Sequence, residues 1–188
     1  MTEHEQMLSD LAVKYRGYLW TIACASLGPG FRNQLDPGDL VQATLSRVVE
    51  TLREQPVRDE RSMLAWLRQV LASVLVDEYR RLHRDRRDID REQQLICSGV
   101  DSTAANFQLW LAADQTSPSL AAVRNEQILQ LADALQSLPA DQREAIVLRY
   151  LQCCSVADIA AMMERTVPAV AGLLRRGLEE LRHLLPSA

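Results

Sequence analysis

A chain of 188 residues with 21 basic and 25 acidic side chains has a formal net charge of −4, so it is no polycation, and a nucleic-acid role requires segregated charge. Aromatics make up only 5%, while Leu, Ala and Arg abound, as in helical proteins of one or two domains. There is no run of about 18 apolar residues and no basic-then-apolar leader, so a soluble, cytoplasmic protein without membrane insertion is expected.

The charge is segregated. Residues 51–91 hold ten Arg against eight acids, whereas residues 92–117 hold no Lys or Arg and three acids. Arg80-Arg81-Leu-His-Arg84-Asp-Arg86-Arg87 is the densest basic spot, and a solvated helix end is the plain alternative for such a run. Cys24, Cys97, Cys153 and Cys154 form no C-x-x-C and no zinc-finger spacing with His4, His83 or His183. No metal and no cofactor is expected.

Residues 7–27 read as a helix, with Leu8, Leu11, Ala12, Tyr15, Leu19, Ile22 and Ala23 at helical spacing, ended by Gly28-Pro29-Gly30. A second helix is predicted over 39–54, capped by Asp36 or Gly38, with Leu40, Ala43, Thr44, Val48 and Leu52 inward. Its other face carries Asp39, Gln42, Ser46 and Glu50, with Arg47 and Arg53 nearby. After a polar loop at 55–62, Ser62 can cap a helix to about 87 with Leu64, Leu67, Leu71, Val74, Leu75 and Leu82 inward. The opposite side presents Trp66, Gln69, Ser73, Arg80 and Arg84. A strip that begins with an aromatic and ends in arginines suits single-stranded nucleic acid, through base stacking and phosphate pairing; packing of Trp66 on a neighbouring helix is the alternative.

Residues 88–117 are small and polar around one apolar cluster, Phe107, Leu109, Trp110 and Leu111, and read as a linker with a short docking segment. Ser117-Pro118 restarts a helix carrying Val123, Ile128, Leu131, Ala132, Leu135 and Leu138. Pro139 breaks it, and a helix over 141–151 follows with Ile146, Val147, Tyr150 and Leu151 inward. The expected fold is all-α: two small helical bundles, residues 1–90 and 118–188, joined by a flexible linker at 91–117.

The chain closes on a helix-turn-helix pattern. Val156, Ile159, Ala160 and Met163 form one stripe, with Ser155 and Asp158 as a capping box. Glu164-Arg165 forms the turn, Thr166 caps the second helix, and Pro168 is tolerated in its first turn. In that helix Val167, Val170, Leu174, Leu178, Leu181 and Leu185 share one face. Ala169, Gly172 and Arg176 lie opposite, with Arg175 on the flank. Small residues and arginines outward let a helix approach a DNA groove. An ordinary helical hairpin fits the same pattern. No nucleophile–base pair or carboxylate pair marks a catalytic residue, so an enzyme is not expected.

Three segments in order resemble the small extracytoplasmic-function sigma factors of bacterial RNA polymerase. Asp36-Pro-Gly-Asp39-Leu-Val-Gln-Ala-Thr-Leu45 resembles D-x-x-D-L-V-Q. Ala65-Trp-Leu-Arg-Gln-Val-Leu-Ala-Ser-Val-Leu-Val-Asp77-Glu-Tyr-Arg-Arg81 resembles A-W-L-x-x-I-x-x-N-x-x-x-D-x-x-R-R. Leu138-Pro-Ala-Asp-Gln-Arg-Glu-Ala-Ile-Val-Leu-Arg-Tyr-Leu151 resembles L-P-x-x-Q-R-E-x-x-x-L-R-Y-L. The segment Ala169-Val-Ala-Gly-Leu-Leu-Arg-Arg-Gly-Leu178 is most similar to a planctomycete-like variant.

The resemblance implies a transcription factor that directs core RNA polymerase to promoters and helps open them. It implies docking of Asp39, Leu40, Gln42, Ser46 and Arg47 on the β′ clamp helices. Arg61, Trp66, Gln69, Ser73, Arg80, Arg81 and Arg84 would meet the −10 element, with the loop at 56–62 holding an extruded base. The acidic linker would thread toward the RNA exit path. Thr166, Ala169, Gly172, Arg175 and Arg176 would meet the −35 element, and the same domain would touch the β flap. Promoter DNA is the implied ligand and an anti-sigma factor a further candidate partner. The family's T-V-K-S-R at the recognition-helix start is Ala169-Val170-Ala171-Gly172-Leu173 here, and its frequent Asn in the long helix is Ser73. The Ala-Gly-Leu replacement keeps one alternative open, a sigma-like decoy that binds polymerase or an anti-sigma factor without reading DNA; a stand-alone helix-turn-helix regulator that binds duplex DNA as a dimer is a separate alternative.

Overall fold

The computed structural model describes residues 3–27, 34–54, 60–82, 89–113 and 121–185. Among these residues the chain is all-α: α1 Glu3–Ser26, α2 Pro37–Glu54, α3 Glu60–Leu82, α4 Ile89–Ala113, α5 Ala121–Ser137, α6 Ala140–Ile146, α7 Val156–Met162 and α8 Val167–Leu184, with a π-helical turn at Val147–Leu151. Two compact units divide between Ser102 and Thr103, inside α4.

The first unit packs α1, α2 and α3 against one another. Tyr18, Leu19 and Ile22 of α1 meet Leu40 and Val48 of α2 and Leu67 and Leu71 of α3 in a core closed to solvent. Burying each such side chain contributes about 1.5–3 kcal/mol. Asp36 starts α2: its Oδ1 accepts the amides of Gly38 at 2.7 Å and Asp39 at 3.2 Å. Pro37, with no amide to satisfy, is the first helical residue, two earlier than the sequence predicts. Buried Thr44 donates to the Leu40 carbonyl at 2.7 Å, so its hydroxyl costs the core nothing unpaired.

Two expected inner positions differ, and one expected docking position does. Ala43 is exposed, because Val41 and Leu45 fill the inner face around it. Leu82 is 37% exposed, since it lies in the last turn of α3. Leu40, expected both inward and on a docking surface, is 2% exposed: the core takes it, and its side chain is not offered to a partner. Helix α3 begins at Glu60, so Ser62 lies inside it rather than capping it.

The stretch expected as linker is helical from Ile89 to Ala113. Val100, Ala104 and Phe107 recur at helical spacing and are all buried. Their packing overrides the poor helix propensity of Ser98, Gly99, Ser102 and Thr103. In the second unit Phe107 meets Trp110 edge-on at 6.4 Å, and Trp110 stacks on Tyr150 at 4.9 Å. The Asn106 amide donates to the Leu151 carbonyl at 2.9 Å.

Pro139 separates α5 from α6, and Arg143 spans the break by donating to the Gln136 carbonyl, one of the open acceptors at the end of α5, at 3.0 Å. Helix α6 runs straight into the π turn, where Gln152 donates to Val147 O at 3.1 Å, an i to i+5 bond. Helix α8 crosses α6 at Gly177. A Cβ there would stand 2.6 Å from Ile146 Cδ1 and 3.3 Å from Gln142 Cβ, so the missing side chain sets how closely the helices approach.

Candidate nucleic-acid interface

The helix-turn-helix forms as its capping residues dictate. Ser155 Oγ accepts the Asp158 amide at 3.1 Å, and the Asp158 carboxylate accepts the Ser155 amide at 3.3 Å, a reciprocal capping box. Helix α7 ends in a Schellman arrangement: Arg165 donates to Ala160 O at 2.9 Å and Glu164 to Ala161 O at 3.3 Å. Glu164 takes φ 53°, a left-handed conformation that glycine adopts more easily. Arg165 pairs with Asp141, fastening the turn to α6. Thr166 Oγ1 accepts the Ala169 amide at 3.3 Å and so caps α8.

The face of α8 that enters the core is Val170, Leu173, Gly177 and Leu181, with Leu174 and Leu178 at its margin. Val167, expected inward, is 49% exposed because it precedes the first core contact at Val170. The cluster beneath joins Leu148, Ile159, Ala160 and Val170. Thr166, Ala169, Arg175 and Arg176 are exposed together and Gly172 is half-buried among them, as predicted for one outward face. Arg176 folds back over Gly172, its Nη1 3.2 Å from where a Cβ would stand. Arg175 is held by Glu179 at 2.9 Å, an exposed pair worth under about 1 kcal/mol that a phosphate can displace. Leu173 faces the core, so within 169–173 the residues left to face outward are Ala169, Ala171 and Gly172.

On the first unit, Gln69, Ser73, Arg80 and Arg81 lie exposed on α3, and Trp66 is half-buried. Arg61 falls in the first turn of α3; Arg84 and most of the loop at 56–62 lie outside the described residues. Arg81 pairs with Glu78 at 2.6 Å. Asp39, Gln42, Ser46 and Arg47 are exposed on α2. Arg47, however, turns toward α3: Nη1 donates to Ser73 Oγ and Nη2 to Asp77 Oδ2, both at 2.9 Å. The spacing of charges within each helix gave no sign of this bridge. The i, i+4 pair Ser73 and Asp77, one turn apart on α3, is the signal that a long cation opposite could use.

A groove of about 270 Å³ runs beside this bridge, lined from α3 by Arg68, Gln69, Ser73 and Arg80 and from α4 by Cys97 and Asp101. Arg68 is anchored from behind, donating to the Tyr18 hydroxyl at 3.2 Å. Burial raises the Tyr18 pKa above its usual value, with the Arg68 charge opposing. Among the described residues no group of three metal-ligating side chains occurs, and no helix is long and apolar enough to cross a membrane. None of Cys24, Cys97, Cys153 and Cys154 is joined in a disulfide.

Residues 128–181, which contain the helix-turn-helix, match the family Sigma-70, region 4. The RNA polymerase sigma factor CarQ of Myxococcus xanthus is 30% identical over 155 residues, 82% of this chain and 77% of that protein. Among solved structures, a flagellar sigma/anti-sigma complex, Sigma-28/FlgM, aligns over 98% of this chain and 99% of its own with a TM-score of 0.40 and 14% identity. The chain belongs to the RNA polymerase sigma factors, DNA-binding proteins of transcription initiation.

Proposed function

We propose that the chain is an extracytoplasmic-function sigma factor, of a planctomycete-like variant, acting in the cytoplasm. It directs core RNA polymerase to its promoters and promotes their opening. The observation that carries this reading is the division of α8: Val170, Leu173, Gly177 and Leu181 are committed to the core, while Thr166, Ala169, Gly172, Arg175 and Arg176 are left outward. Such a helix can enter the −35 major groove with Thr166 and the arginines on phosphates. Residues 118–188 form the −35 and β-flap domain in this reading, residues 1–90 the domain for core polymerase and the −10 element.

The exposed α2 residues Asp39, Gln42, Ser46 and Arg47 support docking on the β′ clamp helices. The α3 face of Trp66, Gln69, Ser73, Arg80 and Arg81 takes the non-template strand, and Arg61 and Arg84, which flank these residues in sequence, join that contact. Holding an unstacked base offsets an opening cost of a few kcal/mol. The segment at 91–117 connects the two. An anti-sigma factor covers one of these surfaces when transcription is off.

The outward small residues Ala169, Ala171 and Gly172 favour a second reading, a sigma-like decoy that binds polymerase without reading DNA. Mixing the purified chain with core polymerase and a promoter library, then sequencing the transcripts, separates the two. Defined start sites support the sigma reading; core binding with random starts supports the decoy; failure to bind core sinks both.

A further inference from the structure

The second unit carries two thiols on consecutive residues, Cys153 and Cys154, between the π turn and the helix-turn-helix. Cys153 is exposed and takes φ 56°, a left-handed conformation that is unfavourable for a residue with a side chain. Cys154 is half-buried and packs against the cluster of Leu148, Ile159, Ala160 and Val170, which joins α7 to α8. Its backbone is held on both sides: its amide donates to Leu148 O at 3.0 Å, and its carbonyl accepts Arg149 Nη1 at 2.9 Å. The next residue is Ser155, the cap of α7. A change at this pair therefore reaches the start of the helix-turn-helix directly.

Two neighbouring thiols suit a thiophilic ligand with two open valences. A direct disulfide fits poorly, because consecutive Cα atoms stand about 3.8 Å apart while disulfides span about 4.4–6.8 Å. Zinc fits poorly too: a structural site takes four ligands, and among the described residues no third His, Cys, Asp or Glu gathers here. An atom inserted between the two sulfurs widens the ring and lifts the first constraint.

We propose that Cys153 and Cys154 form a chelating site for a trivalent arsenical, and that its occupation loosens the helix-turn-helix. The step is a condensation. Both S–H bonds and the As=O bond break, two As–S bonds form, and the two protons leave with the oxygen as water. Arsenic stays trivalent, so no oxidant takes part. Closing the ring draws the Cys154 sulfur away from the cluster and toward exposed Cys153. The unfolded chain has no such packing to lose, so it binds the arsenical more tightly, and occupation favours local opening.

The test uses the full chain with phenylarsine oxide as the probe. A single bound arsenical is expected to survive excess glutathione, which displaces arsenic from a lone thiol, and to be released by dimercaptopropanol. Cys153→Ser and Cys154→Ser each abolish retention, read by intact mass, while Cys24→Ser and Cys97→Ser keep it. Hydrogen exchange at α7 and α8 should rise roughly tenfold on loading of the wild type. It should stay unchanged in Cys153→Ser, a substitution at an exposed position. Retention that is missing, or that survives in Cys153→Ser, overturns the site. Retention with α7 and α8 exchanging as before overturns its coupling to the helix-turn-helix. A pair that closes to a direct disulfide in air overturns the preference for an inserted atom. None of these outcomes depends on promoter recognition.

Discussion

Arg47 of α2 bridges to Asp77 of α3, Nη2 to Oδ2 at 2.9 Å, and the same guanidinium donates to Ser73. The two side chains are 44% and 51% exposed, so water screens the pair and its contribution to stability is under about 1 kcal/mol. Its larger effect is to tie a candidate docking residue to the candidate strand face. A double-mutant cycle of Arg47→Ala and Asp77→Ala read by denaturant unfolding should give a coupling energy below about 1 kcal/mol. A coupling of several kcal/mol would show that the bridge is a structural strut instead.

The two outer faces should separate by mutation. Asp39→Ala is expected to weaken binding to core polymerase by roughly tenfold while leaving duplex −35 DNA binding unchanged, because the site lies on α2. Arg176→Ala should do the reverse, with a shallower salt dependence of DNA binding as one phosphate contact is lost. Fluorescence anisotropy against each partner reads both. Equal losses on both partners in each variant would end the division of labour.

Glu164 occupies a left-handed conformation in the turn, at φ 53°. Such a conformation costs a side-chain-bearing residue on the order of 1 kcal/mol. Glu164→Gly should therefore raise the stability of the second unit by roughly 0.5–1 kcal/mol, once the greater freedom of glycine in the unfolded chain is subtracted. Thermal melts measure it, and a lower melting temperature would count against this account.

Tyr18 gives the first unit an alkaline limit. Burial raises its folded pKa above the unfolded value of 10.0, opposed in part by Arg68. Below pH 10.0 both states keep the proton and stability is unaffected; above it the unfolded chain ionises first, so stability falls as pH rises toward the folded pKa. Unfolding free energies measured from pH 8 upward should decline beyond about pH 10 in the wild type and less steeply in Tyr18→Phe. An unchanged slope in that variant would assign the alkaline limit elsewhere.

The helices that carry both candidate faces were legible because their apolar residues are strictly periodic and their caps are local. Asp36, Ser155 with Asp158, and Thr166 each act within three residues of themselves, so neighbours in sequence suffice to find them. Helix α4 was not legible. Its small polar residues read as linker, and only contacts with distant partners, such as Trp110 on Tyr150, make it a helix. The same holds for the candidate groove. Gln69, Ser73 and Arg80 follow from one helix face, but Cys97 and Asp101 reach it through tertiary packing that no local spacing encodes. Leu40 was read in two ways because its motif neighbours are exposed; burial decides for the core.

The π turn at Val147–Leu151 has a consequence for how this domain tolerates change in length. A π turn spends one more residue per revolution than an α-helix, and it lets Ala145, Ile146, Val147 and Leu148 all point inward in succession. Removing a single residue here would restore the tighter pitch and rotate everything after it by about a hundred degrees. The Leu151 carbonyl would then miss Asn106, and Cys154 would lose its bond to Leu148 O at 3.0 Å. The turn acts as a phase adjuster: it keeps the pattern before it and the pattern after it facing the same core, so insertions and deletions belong in the loops and not in this apparently ordinary stretch of helix.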